Sequence, residues 1–239
     1  MRILVTRPQA DAERTAARLA ARGHEALVAP VLAIAPSGEP PPPGPFDALV
    51  LTSAHAAGPA AVLDRALPVY AVGARTGAAA QAAGFAQVRA AGGDARALAA
   101  HLRAAMPPPA RLLHVAGRDR KPEPAASLTR AGYAVTVWTA YEALAAGRLP
   151  DALVPALRGG RLDAALHYSR RSAANLAALA AAAGLMPDLE RLRHLCLSED
   201  VAAGLPGMDV AVAPEPREEA LLDLLDAPAD GSGSPPRFR

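Results

Sequence analysis

Ala48-Leu-Val-Leu-Thr-Ser53 is a four-residue apolar run that ends on a polar elbow and leads into an Ala-rich helical stretch. A run this short, apolar at every position, reads as a strand buried on both faces. The same strand, elbow and helix recur at Val69-Tyr-Ala-Val-Gly-Ala-Arg-Thr76, Val88-Arg-Ala-Ala-Gly-Gly-Asp94 and Leu112-Leu-His-Val-Ala-Gly-Arg118. The last third of the chain repeats the series. Ala164-Ala-Leu-His-Tyr-Ser169 answers the first segment, Leu195-Cys-Leu-Ser198 the second, and Val210-Ala-Val-Ala-Pro-Glu215 the third. The fourth unit of that copy stands at the front of the chain, as Ile3-Leu-Val-Thr-Arg-Pro8 and a helix ending at Arg22-Gly-His-Glu25. The pattern predicts two similar, doubly wound α/β lobes with mostly parallel sheets, one inserted into the other. A cleft between such lobes is expected to take a small molecule.

The predicted boundaries follow the composition. Residues 1–34 and 146–226 form a discontinuous first lobe, and 38–138 form the inserted lobe. Pro36 to Pro45 is too rich in Pro and Gly for a helix or a central strand. Segments 31–37 and 139–145 read as a pair of extended connectors. Helices are expected near Ala54, Thr76, Asp94 and Glu123, and over Asp151–Gly160 and Arg170–Leu185. The tail 227–239, Gly-, Ser- and Pro-rich, is expected to be disordered.

At 239 residues and 51% hydrophobic content, the chain can fill two cores. Aromatics are only 3%, so Ala-rich helices should pack closely. No 18-residue apolar run is present, and Met1-Arg-Ile-Leu-Val leads directly into a strand pattern. Neither a membrane span nor a secretory leader is expected. The one cysteine, Cys196, falls inside an apolar strand and has no internal partner, which fits a reducing, cytoplasmic setting. A net charge of +2 speaks against a general nucleic-acid binder.

The placement of the basic residues is more informative than their number. Arg7, Arg75, Arg118 with Arg120 and Lys121, and Arg170 with Arg171 all follow the carboxyl end of a predicted strand. Open α/β sheets bind ligands at those ends, and arginine forks match carboxylates. The elbows Thr6-Arg7, Thr52-Ser53, Arg75-Thr76, Gly117-Arg118, Ser169 and Ser198 either cap helices or offer free backbone N–H groups to an anion. P-loop, Cys-x-x-Cys, His-Glu-x-x-His and nucleophile-elbow motifs are all absent from the sequence. His114 and His167 lie inside predicted strands and read as core residues. Tyr141, on the return connector, has either a hydroxyl facing the cleft or an interfacial ring with a wet tip.

At these residues the chain resembles the uroporphyrinogen-III synthase family over nearly all of 1–226. The resemblance is carried by Val5-Thr-Arg-Pro8, Leu51-Thr-Ser-Ala54, Ala71-Val-Gly-Ala-Arg-Thr76, Ala83-Gly-Phe85, Val115-Ala-Gly-Arg118, Tyr141, Tyr168-Ser169 and Pro216-Arg-Glu-Glu-Ala-Leu-Leu222. It departs from the family at His55, Ala116 and Arg217, where Asn, Arg and Thr are frequent. The resemblance implies a cofactor-free cytoplasmic lyase of tetrapyrrole synthesis. Such an enzyme closes the octacarboxylate hydroxymethylbilane to uroporphyrinogen III while inverting ring D. It implies Tyr141 as the acid for the leaving hydroxyl. Arg7, Thr52, Ser53, Arg75, Thr76, Gly117, Arg118, Ser169 and Ser198 are then substrate-binding candidates. No metal is implied. The expected partners are the substrate and porphobilinogen deaminase as its donor, with neither nucleic acid nor membrane, and the expected state is a monomer. Two alternatives remain at this stage: a non-catalytic two-lobe sensor of anionic ligands, and a nucleotide-sugar transferase built from two α/β lobes.

Overall fold

The computed structural model describes residues 1–226. The tail expected to be disordered lies outside the described residues. The chain divides into two compact units, Met1–Ala33 with the chain from Ala145 onward, and Ile34–Leu144.

The first unit contains β1 (Arg2–Val5), α1 (Gln9–Ala21) and β2 (Glu25–Val28), and β3 (Leu32–Pro36) leads out of it. The second contains β4 (Ala48–Leu51), a 3-10 turn (Ala54–Ala56), α2 (Ala57–Ala60), β5 (Val69–Ala71), α3 (Ala74–Ala82), β6 (Val88–Ala90), α4 (Ala95–Ala105), β7 (Arg111–Gly117), α5 (Ala125–Arg130) and the long β8 (Ala134–Ala145). The first then resumes with α6 (Leu153–Arg158), β9 (Ala164–His167), α7 (Arg170–Ala182), α8 (Met186–Leu189), β10 (Arg193–Cys196), α9 (Glu199–Ala202), β11 (Val210–Val212) and α10 (Glu218–Asp226).

The sheet orders bear out the internal repeat. One sheet runs β11-β10-β9-β1-β2 and the other β3-β8-β7-β4-β5-β6. Strand for strand, β6-β5-β4-β7-β8 repeats β11-β10-β9-β1-β2, and every one of these pairings is parallel. β1 therefore stands beside β9 as β7 stands beside β4, which is the permutation legible in the sequence. The extra edge strand β3 departs from the parallel rule. Val31 accepts from Ala146, and Ser37 donates to Ala140, so β3 runs antiparallel to β8.

Alternation along each strand sorts its side chains to two faces. Leu49 and Leu51 pack with the 3-10 turn, α2 and Phe85, whereas Ala48 and Val50 pack with Leu98, Leu102 and Leu128 of α4 and α5. In the first unit Ile3 and Val5 face α1 and α10, and Leu4 faces the other way, toward α6, α7 and α8. All of these strand residues are fully buried, and each large one contributes about 1.5–3 kcal/mol by leaving water. Burial on both faces explains the unbroken apolar runs. α1 stops where expected: Gly23 takes φ +76°, a left-handed conformation that suits a helix end.

Candidate active site

In the order 3-2-1-4-5 the topological switch point falls between the first and fourth strands, and open sheets bind ligands at the carboxyl ends there. In the second unit these strands are β4 and β7, whose ends are Thr52-Ser53 and Gly117-Arg118. A cavity of about 260 Å³ opens at this point, lined by Thr52, Ser53, His114, Gly117, Arg120 and Tyr141 among others.

Tyr141 reaches the cavity through a backbone irregularity. The β7–β8 register pairs Ala116 with Thr139 but Gly117 with Tyr141, so Ala140 is bulged out. A bulge re-aims the side chain that follows it. Arg118 N–H donates to the Tyr141 carbonyl at 2.9 Å and fixes the shifted register. The phenol then packs directly against Gly117: a Cβ there would sit 2.8 Å from Cε2 and 3.2 Å from the hydroxyl oxygen. Glycine is what lets this ring sit there. The His55 ring lies 6.0 Å away, tilted by 59°. Among the described residues the Tyr141 hydroxyl has no hydrogen-bond partner.

Thr52 is coupled to a buried histidine. His114 Nε2 lies 3.1 Å from Thr52 Oγ1, and His114 Nδ1 has no partner. Burial, reinforced by the Arg120 charge, pushes the imidazole down to about 4, so it is neutral at pH 7. An orphaned N–H costs more than an orphaned acceptor, so the proton belongs on Nε2. Nε2–H then donates to Thr52 Oγ1, leaving the Thr52 hydroxyl proton to be offered elsewhere. Arg120 Nη1 donates to the Gly117 carbonyl at 3.0 Å and to Thr139 Oγ1 at 3.2 Å, and Lys121 stands beside it on the cavity wall.

The other candidates of this unit do different things. Ser53 caps the 3-10 turn, its oxygen accepting from His55 N–H at 3.2 Å. Thr76 is buried in the first turn of α3, and Arg75 is exposed beside it. Neither is among the residues lining the cavity. Arg118 is half exposed and donates to Glu142 at 2.7 Å, with Glu39 at 3.5 Å. The Glu142 hydrogen bond holds its guanidinium above the ordinary value.

In the first unit the equivalent strand ends are Thr6-Arg7 of β1 and Tyr168-Ser169 of β9. Here Arg7 is committed internally. Its guanidinium lies 3.9 Å above the Tyr168 ring and donates to Thr15 at 3.1 Å and Glu218 at 3.0 Å. Glu218 also accepts from the Tyr168 hydroxyl at 2.9 Å and from Arg18 at 2.6 Å. Burial alone would raise the Glu218 carboxyl, but hydrogen bonds from Thr15 and Tyr168 and the Arg7 charge hold it below its usual value. Tyr168 is pushed up by its own burial and by Glu218. Ser169 caps α7 through Ser172 N–H at 3.1 Å, whereas Ser198 precedes α9 without a side-chain capping bond.

His114 and His167, whose place inside apolar strands marks them as core residues, are both buried. Each, however, keeps one ring nitrogen without a partner. His167 bonds His194 at 3.0 Å and is pushed down to about 3 by burial and that neighbour. Arg120, already marked by its place after a strand end, lines the cavity, whereas the sequence marks His114 only as core and does not mark Glu218 as an ion-pair partner of Arg7. His114 stands three residues before the Gly117 elbow on a central strand, which is a usable signal. Glu218 is remote from Arg7 in sequence, and nothing local announces the pairing. Among the described residues, no group of three or more His, Cys, Asp or Glu is placed to hold a metal ion, and no helix is long and apolar enough to cross a membrane.

The repeated sheet order and the switch-point cavity define a two-lobe α/β protein with a candidate small-molecule site in its second lobe. The uroporphyrinogen-III synthase HemD family model matches residues 13–223. The chain belongs to the uroporphyrinogen-III synthase family and is a cyclising lyase of porphyrin synthesis, acting on hydroxymethylbilane. Among solved structures, the Helicobacter pylori uroporphyrinogen-III synthetase is 18% identical, with 94% of this chain and 98% of that chain covered and a TM-score of 0.63, a likeness of fold. A mutant Thermus thermophilus uroporphyrinogen III synthase is 20% identical, with 95% and 97% covered and a TM-score of 0.46. A further Thermus thermophilus structure is 22% identical, with 95% and 98% covered and a TM-score of 0.43. No curated protein matches the chain.

Proposed function

We propose that the β4–β7 cavity holds the reacting end of hydroxymethylbilane, with Tyr141 as the acid for the departing hydroxyl. The supporting observation is the bulge at Gly117, which sets an uncommitted phenol over a carboxylate-friendly wall. The C–O bond of the ring A hydroxymethyl group breaks. The pyrrole nitrogen supplies the electron pair, the oxygen takes a proton from Tyr141 and leaves as water, and an azafulvene cation remains. Ring D attacks that cation through its substituted carbon, giving a spiro intermediate. Its fragmentation and reclosure invert ring D, and loss of the ring proton restores the pyrrole and can reprotonate the phenolate.

The rest of the catalysis is positioning. Thr52, oriented by His114, donates into the cavity. Arg120 and Lys121 attract carboxylates beside it, and Ser53 and Gly117 line its wall. Arg118, Arg75 and Thr76 act as further carboxylate contacts of the same lobe through side chains or free N–H groups. Arg7 is structural in this reading, holding the Tyr168-Ser169 elbow of the first lobe. The enzyme works as a cytoplasmic monomer and takes its short-lived substrate from porphobilinogen deaminase.

The test is an assay coupled to porphobilinogen deaminase that scores type III against type I product. Unaided closure gives type I. A chain that yields only type I overturns the proposal. An unchanged kcat and isomer ratio in Tyr141→Phe removes Tyr141 from it.

A further inference from the structure

A second, larger cavity adjoins the first. It measures about 590 Å³ and runs between α4 and α5, with Arg96 and Arg103 on one wall and Ser127 and Arg130 on the other. Ala95 and Glu123 line both cavities, so the two adjoin. All of these residues belong to the second unit.

The internal repeat shows what fills the same place in the other lobe. α4 follows β6 as α10 follows β11, and α5 follows β7 as α1 follows β1. Between α1 and α10, arginines of one helix meet carboxylates of the other. Arg18 bonds Glu218 at 2.6 Å and also Glu219, and Arg22 reaches Glu219 at 2.8 Å, Asp223 at 2.9 Å and Asp226 at 3.3 Å. In the second lobe the arginines are present and the matching acids are not. α4 reads Ala-Arg-Ala-Leu-Ala-Ala-His-Leu-Arg-Ala-Ala, with no acidic residue. Arg130 is paired with Glu123 at 3.1 Å, but Arg96 and Arg103 have no ion-pair partner among the described residues. Asp94 is spent on the Ala97 N–H at 2.7 Å as the α4 cap.

Size points the same way. The switch-point cavity of about 260 Å³ is smaller than the roughly 300–1,000 Å³ usual for ligand pockets, and four linked pyrroles with eight carboxylates overfill it. A substrate seated there must extend beyond it, and the α4–α5 groove adjoins it and is lined by arginines. We infer that this groove is a second carboxylate subsite, in which Arg96 and Arg103 bind acidic side chains of the tetrapyrrole that the switch-point cavity leaves outside. This inference rests on the functional reading above and extends it to residues outside the reacting end.

The experiment uses the full chain with Arg96→Ala/Arg103→Ala and Arg96→Lys/Arg103→Lys. Both arginines are exposed, so the variants should melt as the wild type does. Wild-type isomer output is measured first and tests the functional reading alone. Binding of uroporphyrin (eight carboxylates) and coproporphyrin (four) by fluorescence quenching then tests the groove without turnover. In the Ala variant KM should rise roughly three- to tenfold with kcat unchanged, the effect of losing two exposed charge-assisted contacts. Its preference for the octacarboxylate porphyrin should shrink, and the Lys variant should keep most of it. Wild-type KM and wild-type porphyrin preference in the Ala variant would overturn the subsite, as would a fall in kcat at unchanged KM.

Discussion

The two switch points are built on the same strand order and finished in opposite ways. At the end of β1 and β9 the protein supplies its own ligands: a guanidinium over an aromatic ring, and a carboxylate that accepts from Thr15, Tyr168, Arg7 and Arg18. At the end of β4 and β7, Gly117 contributes no side chain, and a tyrosine laid across it leaves its hydroxyl unengaged. The helix pairs behind them differ in the same sense, acids against arginines in one lobe and unanswered arginines in the other. The repeated strand order supplies two equivalent sites. The open one is where the chemistry is proposed, and the ion-pair network that fills the other stabilises the lobe that carries it.

The sharpest test of this contrast is Tyr141→Phe. It removes one donor and keeps the ring, so kcat should fall about 10²-fold, near the low end for lost general-acid help, with melting unchanged. Stopped coupled assays at long times should then show more type I product.

Next in size is Glu218→Gln, which should act only through stability. Arg7 and Glu218 are 16% and 25% exposed, so breaking the pair should cost about 2 kcal/mol, less than for a fully buried pair. Denaturant midpoints check the cost, and kcat per folded molecule should hold. A selective loss of kcat would mean that the first-lobe network belongs to the chemistry, and the contrast between the lobes would collapse.

Gly117→Ala tests the seat of the phenol. The added methyl would stand 2.8 Å from the Tyr141 ring, so the ring must shift. We expect roughly a tenfold loss of kcat, as for a misplaced reacting group, with a smaller loss in a Tyr141→Phe background.

Arg118→Ala should be milder, because its charge is half exposed and already paired with Glu142. KM should rise about two- to fivefold at low ionic strength, and the difference should fade as salt is added.

The smallest effect is on acid stability. The Glu218 carboxyl is lowered in the folded protein, so its stabilisation is present above its unfolded pKa and is lost as pH falls through the lowered folded value. In Glu218→Gln the acid limb of the stability profile should therefore be flatter. An unchanged limb would assign the limb to the neutral histidines His114 and His167 instead. Both must take up protons on unfolding below the ordinary histidine value, so they too favour unfolding as pH falls.

The sequence by itself determined the strand series, the parallel sheets and the permuted repeat, because strands buried on both faces must be apolar throughout and their elbows polar. It also placed Thr52, Ser53, Gly117 and Tyr141 at strand ends or beside them, where the cavity lies. It did not distinguish Arg7 from Arg118, or Thr76 from Thr52. Each pair has the same local pattern, and the difference lies in contacts between residues far apart along the chain. Glu218 meets Arg7 across 211 positions, and His114 meets Thr52 across 62. The bulge that turns Tyr141 onto Gly117 is likewise a property of two paired strands rather than of either one. Local propensity sets which elements form. Which elbow is closed by the protein's own charges and which stays open was decided only by tertiary packing, because a hydrogen bond or an ion pair depends on proximity in space and not on proximity in sequence.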